Sequence, residues 1–423
     1  MRRREFLAAV GLAPFALRSS LFASRPVPSP SQLTWQRDEL AMFLHFGVNT
    51  FTDREWGDGR EDPAIFNPAR LDARQWARAA RAAGFRAMIL TAKHHDGFCL
   101  WPTRTTTHSV ASSPFRGGKG DVVREFVDAC RAEGLRPGLY LSPWDRNASV
   151  YGDSPRYNDL YIEQLTELLT RYGKIAEVWF DGANGEGPNG KKQTYDWART
   201  WGTVRRLQPD AVMFSDAGPD IRWIGNERGA AGATNWSTVD PSVVPYPGAS
   251  GDAVMRMLQQ GDPNGSVWRP GETDVSIRPG WFYHPAEDPR VKPADSLVDL
   301  YFTSVGRNSK LLLNVPPTRD GLLSDADIAS LTGMRRRLDA QFATEVHAGT
   351  VSVADLREDI ASGQSVSRYV VEGLTDAGWK TLSTGTTIGY RKLDRFQPTV
   401  VRDTRLRILE SVGDARPTSL HVY

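Results

Sequence analysis

Residues 175–183, IAEVWFDGA, are the stretch that decides the fold. The apolar run is almost unbroken until it ends at Asp181, which is typical of a parallel strand covered on both faces. In α/β barrels the chemistry lies at the carboxyl ends of such strands. We therefore expect Asp181 to project into an open site, although an Asp in this position can also do no more than cap a turn.

Strand and helix patterns alternate on both sides of this stretch. The predicted strands are residues 40–47, 87–91, 138–142, 175–183 and 211–215. The predicted helices are residues 72–84, residues 121–134, a segment ending at Gly173, and residues 194–207. Five strand–helix units in order predict a parallel sheet, and a chain of 423 residues is long enough to close it into an α/β, (β/α)8-like barrel of the TIM type, somewhat irregular.

The pattern loosens after Asp216. Residues 217–290 are rich in Gly, Pro, Trp and Asp, and such irregular segments are usually long loops over a functional site. Regularity returns in a helix at residues 295–305, a strand at residues 311–315 and a helix from Ser324 to about residue 346. We assign residues 31–346 to the barrel.

The C-terminal part has a different texture. Short alternating segments at residues 367–371, 386–393 and 404–409 are separated by Gly, Asp and Thr. This pattern predicts a small antiparallel β-sandwich over residues 347–423. We expect it to support the barrel, with sugar binding as the alternative.

The first 30 residues read as a signal peptide and linker. Arg3-Arg4 begins a segment similar to the twin-arginine export signal, and residues 6–17 are an uncharged run too short to span a bilayer. We expect an exported mature protein, periplasmic or secreted, with no membrane partner. Twin-arginine substrates cross already folded from a reducing cytoplasm, so Cys99 and Cys130 are predicted to be unpaired.

The charge balance limits the class of partner. The formal net charge is +2, and without the four Arg and one Glu of residues 1–24 the chain carries 48 basic and 49 acidic side chains. Because basic and acidic side chains are nearly equal in number, neither nucleic acid nor an anionic membrane is expected as the main partner. The 13 Trp residues are weak support for stacking against sugar rings.

Polar groups follow four of the predicted strands, and strand ends meet at one mouth in a barrel. The motifs are FLHFG with His45, TAKHHDGF with His94 and His95, LSPWD with Trp144 and Asp145, and VWFDGA with Asp181.

Two kinds of site fit the three histidines. Imidazoles together with Asp96 or Asp181 could hold zinc. Adjacent His94 and His95 on a strand would point to opposite faces, however, which weakens joint ligation. We prefer neutral imidazoles that hydrogen-bond the hydroxyls of a sugar, and we expect neither a metal nor another cofactor.

Taken together, these segments resemble glycoside hydrolase family 29, the retaining α-L-fucosidases. The resemblance covers nearly the whole mature chain in order: HFG at His45, TDREWGDG at Glu55 and Trp56, KHHDGF at His94 and His95, VWFDG at Asp181, IRWIGNERG at Glu227, RPGWFY at Trp281, and LLLNVPP at residues 311–317.

The resemblance implies a role for each matching residue. Asp181 corresponds to the nucleophile, and Glu227 of the GNE segment corresponds to the acid/base of the subfamily most active on α-1,3/1,4-linked fucose. Glu272 is the rival acid/base. The implied substrate is a fucosylated oligosaccharide, held by the following set: His45, Glu55, Trp56, His94, His95, Trp144, Trp179 and Trp281.

The chemistry of such a reaction makes separate demands on the two carboxyl groups. A retaining glycosidase needs them about 5 Å apart, one ionised and one protonated. Hydrogen-bond donors from His or the backbone would favour an ionised Asp181. Trp223 and Ile224 could supply the apolar contacts that raise the pKa of Glu227. Aromatic residues such as Trp281 and Phe282 would select the C5 methyl group of fucose.

Two other classes of protein remain as alternatives: a metal-dependent hydrolase and a fucose-binding pseudoenzyme. Within the family, GNERG and RPGWFYH resemble the branch restricted to α-1,3 and α-1,4 linkages. We expect that preference over α-1,2 linkages, with broad specificity as the alternative.

Overall fold

The computed structural model describes residues 25–414 and 418–423. The predicted twin-arginine motif and its apolar run lie outside the described residues. Among the residues that are described, no helix has the length and apolar character needed to cross a bilayer.

Eight parallel strands form a nearly closed barrel, as predicted. The strands of the first 340 residues are β1 (Leu40–Leu44), β2 (Ala87–Lys93), β3 (Arg136–Leu141), β4 (Glu177–Trp179), β5 (Val212–Phe214), β6 (Arg222–Trp223), β7 (Thr238–Val239), β8 (Val267–Trp268), β9 (Gly271–Ser276) and β10 (Ser309–Asn314). The barrel order is β5-β4-β3-β2-β1-β10-β9-β6, and a parallel bridge between Phe214 and Ile221 joins its two ends. β7 and β8 pair separately as an antiparallel ribbon.

Helices cover the outside of the barrel. They are α1 (Pro30–Arg37), α2 (Val48–Thr52), α3 (Ala73–Ala82), α4 (Val122–Ala132), α5 (Ser154–Arg171), α6 (Trp197–Leu207), α7 (Asp252–Gln260), α8 (Ala294–Thr303) and α9 (Asp325–Gln341). Side chains of Asp72, Asp121 and Ser324 cap α3, α4 and α9 by accepting backbone N–H groups that lack a helical partner. The last helix ends at Gln341, earlier than predicted, and α6 begins at Trp197 after its cap, Asp196.

The core has two parts. Outward-facing strand residues pack against the helices, whereas Phe43, Trp179, Phe214 and Leu312 fill the barrel interior. Trp35 of α1 closes the end of the barrel opposite the site. Both cysteines, which lie in the described part of the chain, are buried and unpaired, as predicted.

The C-terminal residues form two antiparallel sheets, as predicted. Their strands are β11 (Gly349–Glu358), β12 (Val366–Thr375), β13 (Gly378–Gly385), β14 (Lys392–Val401), β15 (Asp403–Ser411) and β16 (Thr418–Val422), in the orders β14-β11-β16 and β13-β12-β15. The prediction of a strand at residues 386–393 is wrong except at its last two residues, because β14 begins at Lys392. This segment is a connection in which Thr386, Thr387 and Arg391 contact the barrel, whereas Ile388 packs in the core of the sandwich. Its alternation therefore reflects burial on two sides rather than a strand.

Arg391 of that connection fastens the two domains together. Its guanidinium is 7% exposed and lies 2.7 Å from Asp355 of the sandwich and 2.9 Å from Glu39 of the barrel. It also donates to the hydroxyl of Tyr301. A buried cation with these partners fixes the sandwich on the barrel.

Candidate active site

A cavity of about 280 Å³ opens at the carboxyl ends of the barrel strands. All of the predicted site residues except Trp144 line it. The lining consists of Phe43, His45, Glu55, Trp56, His94, His95, Tyr140, Trp179, Asp181, Ala183, Glu227, Asp274 and Trp281. The sequence motifs separated by up to 236 positions therefore converge on one pocket because parallel strands place their ends at the same mouth.

Trp144 lies just outside the cavity. Its ring is 4.9 Å from the ring of His95 and 6.0 Å from the ring of Trp56, measured between centroids. Its indole N–H donates to the carbonyl of Glu186 at 3.0 Å. Trp144 thus packs against two lining residues, and its role in binding the substrate stays a prediction.

Asp181 is the second residue after β4, as the sequence predicts for a side chain at a strand end. Its Oδ2 accepts the hydroxyl of Tyr140 at 3.1 Å, and its Oδ1 accepts the backbone N–H of Ala183 at 2.7 Å. The Nε2 atom of His95 is 3.8 Å from Oδ2. These donors stabilise a carboxylate that faces the cavity.

Glu227 lies in the loop after β6 and faces the same cavity. Burial raises the pKa of Glu227, and the negative charge of Asp181 adds to the rise, while a hydrogen bond from the indole of Trp281 opposes it. Trp223 lies beside Glu227 in the lining of a neighbouring cavity. Ile224 is fully buried and lines neither cavity, so of the two expected apolar neighbours only Trp223 shares a cavity lining with Glu227.

The three histidines are buried at the floor of the cavity. His45 Nδ1 is 2.8 Å from Oδ1 of Asn314, and His95 Nδ1 is 2.7 Å from the hydroxyl of Ser142. Burial lowers the pKa of all three rings, that of His45 to about 3. The imidazoles are therefore neutral at neutral pH and can each donate one hydrogen bond and accept another.

The expectation that His94 and His95 point to opposite faces is wrong, because β2 ends at Lys93 and the chain turns there. The two ring centroids are 4.1 Å apart. Across residues 25–414 and 418–423, no three or more His, Cys, Asp and Glu side chains are grouped so that they could hold a metal ion.

Glu272, the rival acid/base, lies one layer deeper in the barrel. It is fully buried, lines neither cavity, and accepts the indole N–H of Trp179 at 3.0 Å. The ammonium of Lys310 is 4.0 Å from its other oxygen. Burial raises the pKa of Glu272 well above its usual range, and the neighbouring Glu177 raises it further.

Trp281 is held by a short loop that folds over the cavity. Its carbonyl accepts Nδ2 of Asn314 at 2.8 Å, and its backbone N–H donates to Glu55 Oε2 at 2.8 Å. Phe282 is fully buried, with its ring 5.5 Å from that of His45 and 5.0 Å from that of His94, and it does not line the cavity. The predicted aromatic wall is therefore Trp281 without Phe282.

A second cavity of about 300 Å³ adjoins the first and shares Trp179, Asp181, Ala183, Glu227 and Asp274 with it. Its remaining lining comes largely from the irregular region. That lining is Gly182, Phe214, Asp216, Trp223, Gly248, Ala249, Ser250 and Met255.

Sequence reasoning missed Tyr140 and Asp274. In a strand, alternate residues share a face, so Tyr140 lies on the same face as the strand-end residue Ser142. By the same rule Asp274 lies above Glu272 on β9, nearer the mouth. Burial and the charge of Glu227 raise the pKa of Asp274 well above its usual range, and Trp223 donates to it at 2.8 Å.

The profile of the alpha-L-fucosidase family matches residues 60–341 of this chain. Alpha-L-fucosidase 1 of Arabidopsis thaliana is 42% identical over 475 residues, which cover 99% of this chain and 92% of the plant protein.

Two solved structures share the whole architecture. A glycoside hydrolase 29 family member from an unknown rumen bacterium superposes with a TM-score of 0.88 at 40% identity, over 95% of this chain and 77% of that one. A GH29 fucosidase of Ruminococcus gnavus in complex with fucose superposes with a TM-score of 0.84 at 30% identity, over 94% of this chain and 95% of that one.

Proposed function

Because the chain belongs to the α-L-fucosidase family and is a glycoside hydrolase, we propose that it removes terminal α-1,3- and α-1,4-linked fucose from oligosaccharides or glycoconjugates with retention of configuration. Asp181 is the nucleophile in this proposal, and Glu227 is the acid/base.

The observation that carries the proposal is the contrast between two carboxyl groups in one cavity. Asp181 accepts an O–H and an N–H donor, which suits an anion. Burial raises the pKa of Glu227, which suits a group that must hold a proton. Glycosidases divide the roles of nucleophile and acid between two carboxyl groups by holding them in environments that favour different protonation states.

The reaction then has two steps. Asp181 attacks the anomeric carbon while Glu227 gives its proton to the departing glycosidic oxygen, which leaves a fucosyl ester on Asp181. Glu227, now a carboxylate, takes a proton from water as that water attacks the same carbon and displaces Asp181. Two inversions give net retention and return both carboxyl groups to their starting states.

The stereochemical course tests the retaining mechanism. Proton NMR of the first minutes of hydrolysis should show α-fucose before mutarotation forms the β anomer. Initial β-fucose would mean that a single inverting displacement operates, and the nucleophile assignment would be lost.

Azide rescue tests the nucleophile directly. Asp181→Ala should lower turnover on the order of 10³-fold or more, since the covalent intermediate cannot form. Azide added to this variant should give β-fucosyl azide, from one inversion. An azide product of retained configuration would assign the nucleophile to another residue.

We also propose that the first cavity holds fucose. The neutral imidazoles of His45, His94 and His95 suit sugar hydroxyls, which both donate and accept. Trp281 offers an apolar face to the C5 methyl group. The Ruminococcus gnavus fucosidase, which shares this architecture, binds fucose.

The second cavity supports the linkage preference. It shares both carboxyl groups with the first cavity and is walled by Trp223, Met255 and Asp216. A galactose next to fucose on a branched core would fit its position, and binding energy from that sugar would lower the barrier at the fucosyl bond. Simple aryl fucosides, which lack this sugar, should be poor substrates.

A comparison of two trisaccharides tests this preference. The value of kcat/KM should be clearly higher for a Lewis-type trisaccharide than for an α-1,2-fucosylated one. Comparable kcat/KM values for the two trisaccharides would mean that the protein is a broad-specificity α-L-fucosidase.

For localisation, we propose export through the twin-arginine pathway, on the strength of Arg3-Arg4 and the uncharged run after them. Cell fractionation of a bacterial host should find the protein in the periplasm or medium. The double change Arg3→Lys and Arg4→Lys should keep it in the cytoplasm, and unchanged export would mean that another route is used.

A further inference from the structure

His284 bridges two carboxylates at the rim of the active site. Its Nδ1 lies 2.8 Å from Oδ1 of Asp53, and its Nε2 lies 2.6 Å from Oε1 of Glu55. A carboxylate can only accept, so both ring nitrogens must carry a proton to make both bonds. The geometry therefore requires the imidazolium form, in contrast to the neutral rings on the floor of the cavity.

This bridge ties two loops together. Besides the ring of His284, the carboxylate of Glu55 accepts the backbone N–H groups of Trp281 at 2.8 Å and Phe282 at 3.2 Å. All three donors come from the loop that carries Trp281. The side chain of Trp281 in turn lines the same cavity as Glu227 and lowers the pKa of that carboxyl group.

From these contacts we infer that His284 is a positioning residue for the acid/base. As an imidazolium it holds Glu55 against the loop of residues 280–284, and that loop sets the indole of Trp281 against Glu227. The inference deepens the proposed function and rests on the role of Glu227 there.

The groups around His284 make the bridge dependent on pH. Asp53 and Glu55 face the ring from one loop and Glu287 from the other, while Arg319 lies 3.7 Å from Asp53. Burial lowers the pKa of His284, but its carboxylate partners outweigh burial and the pKa is raised overall. The bridge is thus complete below the ordinary histidine pKa of about 6.5 and is lost as pH rises through the higher folded value.

Two substitutions at His284 and one matched control test the inference. His284→Gln removes the cation, whereas His284→Arg keeps a cation with several donors. His421→Gln removes a histidine whose Nδ1 lies 3.0 Å from Glu345 in a contact remote from the site. The measurement is kcat/KM from about pH 5 to about pH 9, with one fucosyl substrate of good leaving group and one of poor leaving group.

We expect His284→Gln to lower kcat/KM about tenfold at acidic pH, as for the loss of a charged hydrogen bond. The ratio of wild-type to variant kcat/KM should fall toward 1 at alkaline pH, where the wild-type ring has also lost its proton. It should be larger for the poor leaving group, which needs the acid most. His284→Arg should show a smaller deficit that does not shrink with pH, and His421→Gln should match wild type.

A deficit of equal size at every pH and for both leaving groups would overturn the inference, because a purely structural role gives that result. So would full activity in His284→Gln. If wild type itself released no fucose from any fucoside, the proposed function would fail instead, and the two failures are therefore distinct.

A spectroscopic measurement is independent of turnover. Long-range ¹H–¹⁵N spectra, with His284→Gln identifying the signal, should show a ring with both nitrogens protonated at about pH 6. A neutral tautomer at that pH would overturn the inference even if the kinetic pattern were found.

Discussion

The indole N–H of Trp179 donates to the carboxyl group of Glu272 at 3.0 Å, so a wall of the cavity is fixed from the layer beneath it. Trp35 and Lys310 lie 2.9 Å and 3.2 Å from Oε2 of Glu177 in that same layer. Burial and the neighbouring Glu177 both raise the pKa of Glu272 well above its usual range, which favours a protonated Glu272.

Glu272→Gln should keep most of the activity, within about threefold of wild type. A glutamine retains an oxygen that accepts from Trp179 and gains an N–H that can serve Glu177, so it mimics the protonated acid. A true acid/base would lose about 10²-fold or more on this change. Steady-state kinetics with a poor leaving group therefore decide between Glu227 and Glu272.

Glu272→Leu should instead destabilise the fold by about 1–3 kcal/mol, because it leaves the indole of Trp179 without its acceptor in the barrel, while Lys310 keeps its contact with Glu177. Urea unfolding of this variant beside Glu272→Gln measures the difference. Equal stability of the two variants would mean that the buried hydrogen bonds contribute little.

Glu227→Ala should slow hydrolysis by about 10²-fold or more for substrates with poor leaving groups, and much less for activated aryl fucosides if these are accepted. In wild type the acid must be protonated, so kcat/KM should fall as pH rises through the pKa of Glu227. Because burial raises that pKa, the fall should begin above the usual carboxyl range. A leaving-group effect that appears in Glu272→Ala and not here would reverse the assignment.

Tyr140→Phe should lower kcat about tenfold while KM changes little. It removes the hydroxyl that lies 3.1 Å from Oδ2 of Asp181 and thereby one of the donors that stabilise the nucleophile. Circular dichroism should show an unchanged fold, since the ring still fills the barrel interior. A change confined to KM would place the hydroxyl in ground-state binding of the sugar.

Arg391→Ala should destabilise the protein by about 2–3 kcal/mol, because the half-buried Glu39 would lose its contact with a cation, while the buried Asp355 would keep Arg357. Arg368→Ala is the control, since its pair with Glu410 is largely exposed and should contribute less than about 1 kcal/mol. Urea unfolding compares them. Similar losses in both variants would mean that Arg391 does not join the domains.

Local pattern was enough for the barrel and for most of the site. The apolar run that stops at Asp181 indicates a strand end, and so do the histidines that follow two neighbouring apolar runs. Parallel strands in a barrel bring such ends together at one mouth. Pattern failed at residues 386–393, where Ile388 is buried in the core of the sandwich and Arg391 by contact with the barrel, although neither residue lies in a strand. Alternation records which side chains are buried and does not record what covers them.

The sequence by itself determined the order of the strands, the family and the end of the barrel where the carboxyl groups gather, because periodicity and motif spacing are local properties of the chain. Tertiary structure alone decided that Glu227 faces the cavity while Glu272 lies beneath it. It also decided that His284 meets Glu55 across 229 positions. Height in a barrel depends on strand register, and loop contacts depend on how distant segments fold back, neither of which leaves a local pattern.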